Sequence, residues 1–404
     1  MKKLFLLPLL ALCCMYGCSS ATDEAGAVAK LQAEGEMPIL AWYGIPSDST
    51  TPERFLELKE TGITHHFSEG YRDADAMQRA LDVAQQVGIK LIVSCPELKK
   101  DPEATVRRFM NHPAVAGYFL RDEPSCADFA ELGEWAARIR ATDDEHFCYL
   151  NLFPNYAPLE VLKADSYRDY VQRFDREVPL QLLSFDHYPV VGDTYRGEWY
   201  ENLEIFSDEA RKAGKPFWAF ALTTAHTPYP IPDLAQLRFQ VYSDLAYGAQ
   251  GIQYFTYWTP GKNPNWNFHH GPIGLDGKRT DVYDKIKTMN EEIKALSGVF
   301  LGSEVIAVNH TGDTIPQGTR WLEELPEGVK YLETEGPGAV VSQLRNGDNR
   351  FLVIVNRDFR KRMKLTIGLA PGMKRILKDG SIVPASVYSD TVMVEPGDAM
   401  IYMY

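Results

Sequence analysis

The stretch GYFLRDEPS, residues 117–125, places two carboxyl side chains, Asp122 and Glu123, next to each other directly after an apolar segment. Two like charges in a low-dielectric surrounding raise each other's pKa, so one of the pair tends to stay protonated. A protonated carboxyl can then act as a general acid, while its ionised neighbour stabilises positive charge. A salt-bridged strand end, with Arg121 as the partner, is the alternative interpretation.

A regular alternation that begins at residue 38 indicates the fold that would position these side chains. Eight short apolar stretches alternate with segments of helical periodicity, the pattern of parallel β–α units, and eight such units close a barrel. The eight stretches are PILAWYGIP, ITHHFSEG, IKLIVSCPE, VAGYFLRDEP, HFCYLNLFP, QLLSFDHYPV, PFWAFALTT and GIQYFTYWTP.

The pattern changes after about residue 300, where strand-like stretches are separated by Asn-Gly, Asp-Gly and Pro-Gly turns. We therefore predict an α/β chain, with a (β/α)8 TIM barrel over residues 37–300 and a C-terminal all-β sandwich over residues 301–404.

The loops that follow barrel strands build the active sites of this fold. Reading the eight strand ends gives a set of candidates rich in carboxylates and aromatic rings: Tyr43, His66, Glu97, Asp122, Glu123, Asn151, Asp186, His187, Tyr188, His226, Tyr257 and Trp258. The sequence contains no glycine-rich phosphate loop and no G-x-S-x-G turn. The adjacent histidine pairs, 65–66 and 269–270, lack the spacing of metal ligands. We expect neither a metal nor a cofactor.

Carboxylates together with aromatic rings are what the cleavage of a glycosidic bond requires, because one acid protonates the leaving oxygen and rings stack on sugar faces. The net charge of −13, without a run of Lys or Arg, excludes nucleic acid as a partner. We therefore expect an oligosaccharide or polysaccharide substrate. Long loops after the seventh and eighth strands predict a pocket-like site and exo-action.

Three motifs make the barrel resemble the retaining glycoside hydrolase clan that includes β-galactosidases. AGYFLRDEP resembles the fourth-strand motif whose Glu is the acid/base, LLSFDHYP the sixth-strand motif, and GAQGIQYFTYW the eighth strand. The resemblance implies that Glu123 is the acid/base and that Trp258 is a platform for the sugar.

The seventh strand departs from that pattern, because KPFWAFALTT has Ala221 where the clan carries its nucleophilic Glu. Four interpretations remain open. The Asp-Glu pair resembles that of N-acetylhexosaminidases, in which the acetamido group of the substrate attacks, Asp122 would orient it and Tyr188 or Tyr257 would assist. Alternatively another residue attacks, or the enzyme inverts with Asp186 or Glu97 as the base, or the barrel only binds carbohydrate.

The first 18 residues have the features of a secretion signal. Lys2 and Lys3 precede the apolar run LFLLPLLALCCMYG, which is too short to span a bilayer. The run ends at Cys18, and polar residues follow, so the segment resembles a bacterial lipoprotein signal with Cys18 as the lipidated residue. We expect a tether over residues 19–36, a location at the bacterial cell envelope, and contact with the membrane through the lipid anchor only.

Overall fold

The computed structural model describes residues 30–404, except residues 32, 34 and 387–389. Residues 1–18, with Cys18, and most of the expected tether lie outside the described residues. None of the helices in the described part of the chain is long and apolar enough to cross a membrane.

Eight parallel strands form one sheet that curls into a nearly closed barrel, hydrogen-bonded in the order β5-β4-β3-β2-β1-β8-β7-β6. The predicted (β/α)8 barrel is thus confirmed. Its strands are β1 (Ile39–Trp42), β2 (His65–His66), β3 (Lys90–Val93), β4 (Val115–Asp122), β5 (Phe147–Asn151), β6 (Leu183–Phe185), β7 (Phe217–Leu222) and β8 (Gly251–Phe255).

The two ends of this sheet, β5 and β6, meet through few backbone contacts. Leu152, the residue after β5, forms a single parallel bridge with Phe185 of β6. The Leu152 N–H donates to the Ser184 carbonyl at 2.9 Å, and the Asp186 N–H donates to the Leu152 carbonyl at 3.4 Å.

Helices surround the barrel, and their boundaries follow local sequence signals. For example, the Asp73 side chain accepts a hydrogen bond from the Ala76 N–H at the start of α2, and Gly88 ends that helix with a φ of 75°. The helices are α1 (Pro52–Glu60), α2 (Ala74–Val87), α3 (Pro96–Lys100), α4 (Pro102–Phe109), α5 (Phe129–Thr142), α6 (Leu159–Leu162), α7 (Tyr167–Glu177), α8 (Trp199–Ala213), α9 (Leu234–Ala246), α10 (Asp281–Ala295) and α11 (Ser297–Phe300).

Side chains alternate along the strands between the barrel interior and the helix layer. The interior cluster includes Trp42, Tyr149, Trp218, Phe220 and Leu222. The intervening β7 residues, including Ala221, belong to the separate cluster formed with the helices. The interior is therefore filled mainly by aromatic rings, and they form the floor beneath the strand ends.

The C-terminal domain is a sandwich of two antiparallel sheets, ordered β9-β11-β12-β17-β14-β15 and β10-β13-β16. Side chains from both sheets form its core, among them Val341, Ile354 and Leu365. The predicted all-β sandwich is also confirmed. Its strands are β9 (Glu304–His310), β10 (Val329–Thr334), β11 (Ala339–Asn346), β12 (Asn349–Asn356), β13 (Met363–Leu369), β14 (Lys374–Ile376), β15 (Ile382–Pro384), β16 (Asp390–Val394) and β17 (Ala399–Met403).

The sandwich packs on the barrel at the end of α9. Ser342 donates a hydrogen bond to the Ala246 carbonyl at 2.6 Å, and Tyr247 and His310 are hydrogen-bonded at 2.8 Å. These contacts are buried, so the β domain supports the outer helix layer.

Candidate active site

A cavity of about 500 Å³ opens at the carboxyl-terminal ends of the barrel strands. Six of the candidates from the sequence line it: Asp122, Glu123, Asn151, Asp186, Tyr188 and His226. They come from β4, β5 and the segments that follow β4, β6 and β7. A cavity of this size can enclose one sugar unit of a glycan.

Asn151, the last residue of β5, joins two of the carboxylates. Its side-chain Nδ2 donates to Asp122 Oδ1 at 3.1 Å and to Asp186 Oδ1 at 2.8 Å. The orientation of the amide is fixed by Ser184, whose Oγ donates to Asn151 Oδ1 at 3.0 Å. Asn151 is buried, and so is its bond to Asp186, whereas its bond to Asp122 is only partly buried.

Glu123 lies one residue beyond β4, with a φ of 45°, in the left-handed region that a residue with a Cβ rarely adopts. Its N–H donates to the Asn151 carbonyl at 2.9 Å. This backbone turn brings Glu123 into the same cavity as Asp122, although neighbours on a regular strand point to opposite faces. Backbone strain of this kind tends to cluster at functional sites.

A side-chain hydrogen bond between Glu123 and Asp186 raises the pKa of Glu123 and lowers the pKa of Asp186. Two carboxyls can share such a bond only when one of them is protonated. Burial, followed by the charges of Asp186 and Asp122, raises the pKa of Glu123 well above its usual range. Of the pair, Glu123 is therefore the member whose protonated form is favoured.

Asp186 is the carboxyl of the three whose pKa is raised least. Burial raises its pKa, but hydrogen bonds from Asn151, Glu123 and Tyr188 oppose that rise. Burial and the charge of Asp186 also raise the pKa of Asp122. Asp122 nevertheless remains accessible to water in the open cavity, which weakens the effect of burial. The cluster thus combines a proton donor with an anion.

Aromatic rings line the rest of the cavity. Phe220 and Phe255 form part of its floor, and Tyr188 packs on Phe255 with ring centroids 5.5 Å apart. At the mouth, Trp266 is 46% exposed and packs near His226 at 5.6 Å. Such rings offer stacking surfaces for the apolar faces of a sugar.

The structure changes the interpretation of the seventh strand. Ala221 points to the helix layer, whereas its neighbours Phe220 and Leu222 point inward. Among the described residues of β7, those that face the interior are Trp218, Phe220 and Leu222, and none of the three carries a carboxylate. A side chain at position 221 would not reach the cavity, even as Glu.

The sequence matches no protein-family model and no curated protein. The structure is similar to a catalytic mutant of a GH42 beta-galactosidase from G. stearothermophilus, with a TM-score of 0.64, 9% identity and coverage of 93% of this chain and 99% of that one. It is also similar to the alpha-amylase from Geobacillus thermoleovorans, with a TM-score of 0.54, 11% identity and coverage of 91% and 98%. The beta-galactosidase from Halorubrum lacusprofundi gives a TM-score of 0.51, 12% identity and coverage of 90% and 98%. At these identities the likeness establishes the fold.

Four candidates lie outside the cavity, because their side chains pack or form hydrogen bonds elsewhere. His66 accepts a hydrogen bond from the Ile45 N–H at 2.7 Å. His187 packs against the Tyr156 ring at 4.9 Å, and among the described residues it has no hydrogen-bond partner. Glu97 lies in the first turn of α3, and Tyr257 is fully buried near Glu57 and Tyr283.

Tyr43 and Trp258 are also outside this cavity and line a neighbouring one instead. The sugar platform expected at Trp258 is therefore not part of the site around the carboxylates. Trp266 and Phe268, from the loop after β8, contribute the rings there.

Sequence reasoning missed the aromatic residues of the cavity, which are Trp42, Phe153, Tyr156, Phe220, Tyr229, Phe255, Trp266 and Phe268. Strict alternation along β7 could have identified Phe220 as inward-facing. The loop residues gave no signal beyond their composition. In the part of the chain that the structure describes, no group of three or more His, Cys, Asp or Glu side chains is arranged to hold a metal ion.

Proposed function

We propose that this protein is a glycoside hydrolase and that Glu123 is its general acid. The observation that carries the proposal is the carboxyl cluster at the barrel's carboxyl-terminal face, in which a side-chain hydrogen bond joins Asp186 to Glu123, whose pKa is raised. An acid of raised pKa next to a carboxylate suits the protonation of a glycosidic oxygen.

The spacing of the carboxyls argues against inversion. An inverting pair needs about 6.5–9.5 Å between its carboxyl groups, to leave room for water. Glu123 and Asp186 are in direct hydrogen-bond contact. The bonded oxygens of Asp122 and Asp186 each lie within 3.1 Å of one nitrogen. Glu97, the other base considered, is not among the residues that line the cavity.

Substrate assistance fits the cluster better than a carboxylate nucleophile. No interior-facing residue within Phe217–Leu222 carries a carboxylate, so a group equivalent to the seventh-strand nucleophile is missing there. If the acetamido oxygen of the substrate attacks instead, Asp122 or Asp186 would hold the acetamido N–H and stabilise the charge that develops. Tyr188, hydrogen-bonded to Asp186, would support that anion.

The substrate class that follows is a β-linked N-acetylhexosaminide, cleaved from the end of a glycan. The aromatic walls would enclose the terminal sugar, and the acetyl methyl group would contact apolar rings such as Phe220 and Phe255. This assignment is finer than the likeness in fold, which extends to glycosidases of several kinds.

A barrel that only binds carbohydrate is the competing function. Ala221 favoured it, because a lost nucleophile suggests lost catalysis. In this chain Ala221 faces the helices, so its identity carries no information about activity. Three carboxyls with raised pKa values are a costly feature to retain for binding alone.

A panel of aryl glycosides tests the proposal. We expect release of the aryl group from N-acetyl-β-hexosaminides and little from the matching sugars without an acetamido group. A thiazoline mimic of the cyclised intermediate should inhibit strongly, because active sites bind transition states more tightly than substrates. Hydrolysis of plain galactosides together with indifference to the thiazoline would refute substrate assistance. Inactivity of the wild-type enzyme on every glycoside would favour the binding function.

We also propose that the mature protein is anchored to the bacterial cell envelope through a lipid on Cys18, with residues 19–36 as the tether. The support is the charged, apolar and polar order of residues 1–26. A tethered barrel would meet glycans at the cell surface or in the periplasm.

A further inference from the structure

A second cavity, of about 590 Å³, opens on the same face of the barrel as the carboxyl cluster. It is formed by the segments that follow β1, β2 and β8, together with the start of α2. The lining residues that matter for recognition are Tyr43, Asp48, Ser68, Arg72, Arg79 and Trp258.

Tyr43 forms the boundary between the two cavities. Its ring centroid is 6.3 Å from that of Phe255, which lines the cavity of the carboxyl cluster. After burial, the charges of Glu69 and Asp122 raise the pKa of Tyr43. A glycan that extends beyond the first cavity in this direction passes over Tyr43 into the second.

The aromatic rings of the second cavity are held in place. The Arg54 guanidinium lies 5.1 Å from the centroid of the Trp258 ring. The Trp258 N–H donates to the Tyr43 carbonyl at 2.9 Å, which couples the two aromatic residues through the backbone. Rings fixed in this way lose little entropy when a sugar stacks on them.

Two cations lie along the α2 side of this cavity in a chain whose net charge is −13. Arg72 forms an ion pair with Asp73 at 2.9 Å, and its side chain is 82% exposed. Within the described residues, no carboxylate lies within salt-bridge distance of Arg79. The lining also contains the acidic residue Asp48, which belongs to the loop after β1 and not to the α2 side.

We propose that this second cavity binds an anionic sugar unit of the substrate glycan, with the sugar ring against Tyr43 and Trp258 and its carboxylate or sulfate group at Arg72 and Arg79. A guanidinium presents planar donors that match both anions. The inference rests on the proposed function for the identity of the glycan, and it names acidic glycans as the substrate class.

Binding without turnover tests this site. The Glu123→Gln protein is titrated by ligand-observed NMR with methyl glucuronoside, methyl galactoside 6-sulfate, and the neutral methyl glucoside and methyl galactoside. We expect at least one anionic sugar to bind about tenfold or more tightly than its neutral counterpart. Preference for the carboxylate alone identifies a uronic acid, and preference for the sulfate alone identifies a sulfated sugar.

Arg72→Gln combined with Arg79→Gln should abolish the preference for the anionic sugar. Trp258→Ala should weaken the binding of the anionic and the neutral sugar of a pair equally. Arg107→Gln, an exposed arginine of α4 outside the cavity, is the matched control and should retain the preference. Equal binding of anionic and neutral sugars, or a preference that survives the double arginine substitution, overturns the proposal. Failure of the proposed function appears separately, as inactivity of the wild-type enzyme on every glycoside.

Discussion

Replacing Asn151 with alanine tests how the carboxyl cluster is held in its working state of protonation. Its two hydrogen bonds lower the pKa of Asp122 and of Asp186, and both bonds disappear in the variant. A hydrogen bond to a charged group contributes about 1.5–3 kcal/mol. Since one pKa unit corresponds to about 1.4 kcal/mol, each pKa should rise by roughly one to two units.

The expected result is a displaced pH profile. Activity requires an anionic aspartate, so it is lost as pH falls through the pKa of that residue. A higher pKa moves this acid limb of kcat/KM to higher pH by roughly one to two units. The measurement is kcat/KM between pH 4 and 9 on an activated aryl N-acetylhexosaminide.

A matched control separates this effect from the loss of any buried asparagine. Asn290 is also fully buried, and it accepts from Tyr254 at 2.7 Å and donates to the Thr61 carbonyl at 2.8 Å, in the layer between α10 and the barrel. Asn290→Ala should lower the melting temperature and leave the acid limb unchanged. An acid limb in folded Asn151→Ala that coincides with wild type would refute the reasoning.

Three further outcomes are expected. Glu123→Gln should lose about 10²–10⁴-fold in kcat on substrates with poor leaving groups and far less on activated aryl glycosides, and its profile should lack the alkaline limb that ionisation of Glu123 produces; equal losses on both substrates would argue for another role. Ala221→Glu should not increase activity and should destabilise the protein in a melting experiment, because it buries a charge in the helix layer; a gain in turnover would show that the position reaches the cavity. Cys18→Ala should abolish labelling by radioactive palmitate in the producing bacterium; equal labelling of both proteins would move the lipid to Cys13 or Cys14 and overturn the assignment to Cys18, and a wild type without label would end the lipid-anchor proposal.

The alternation of strands and helices predicted the barrel, and strand-like stretches separated by glycine turns predicted the sandwich, because burial and turn formation both leave a pattern in the sequence. A similar alternation of side-chain direction is present directly after β6. Asp186 and Tyr188 line the cavity, while His187 between them does not and packs against the Tyr156 ring. The sequence had predicted all three residues as members of the site.

Asp122 and Glu123 do not follow the alternation of side-chain direction along a strand. Both line the cavity because Glu123 adopts a φ of 45°. No pattern in the sequence predicts that a glutamate adopts this left-handed backbone conformation. The rings of Trp266 and Phe268 could not be placed either, since a long loop has no period to fix the direction of its side chains. The carboxylates were predictable from local sequence, whereas the walls around them depend on tertiary packing.

The carboxyl cluster lies at the point where β5 meets β6, so it also affects how the barrel closes. The barrel closes there through a single backbone bridge, and the side-chain bond from Asn151 to Asp186 crosses the same seam. Asn151, which lowers the pKa of Asp186, therefore also joins β5 to the segment after β6, in addition to the backbone bonds of Leu152. Acidification that neutralises Asp186 would weaken the hydrogen bond from Asn151 to Asp186. The edges of β5 and β6 should therefore be the first part of the barrel to exchange amide hydrogen at low pH. In this protein, the chemistry of the site and the closure of its scaffold would fail together.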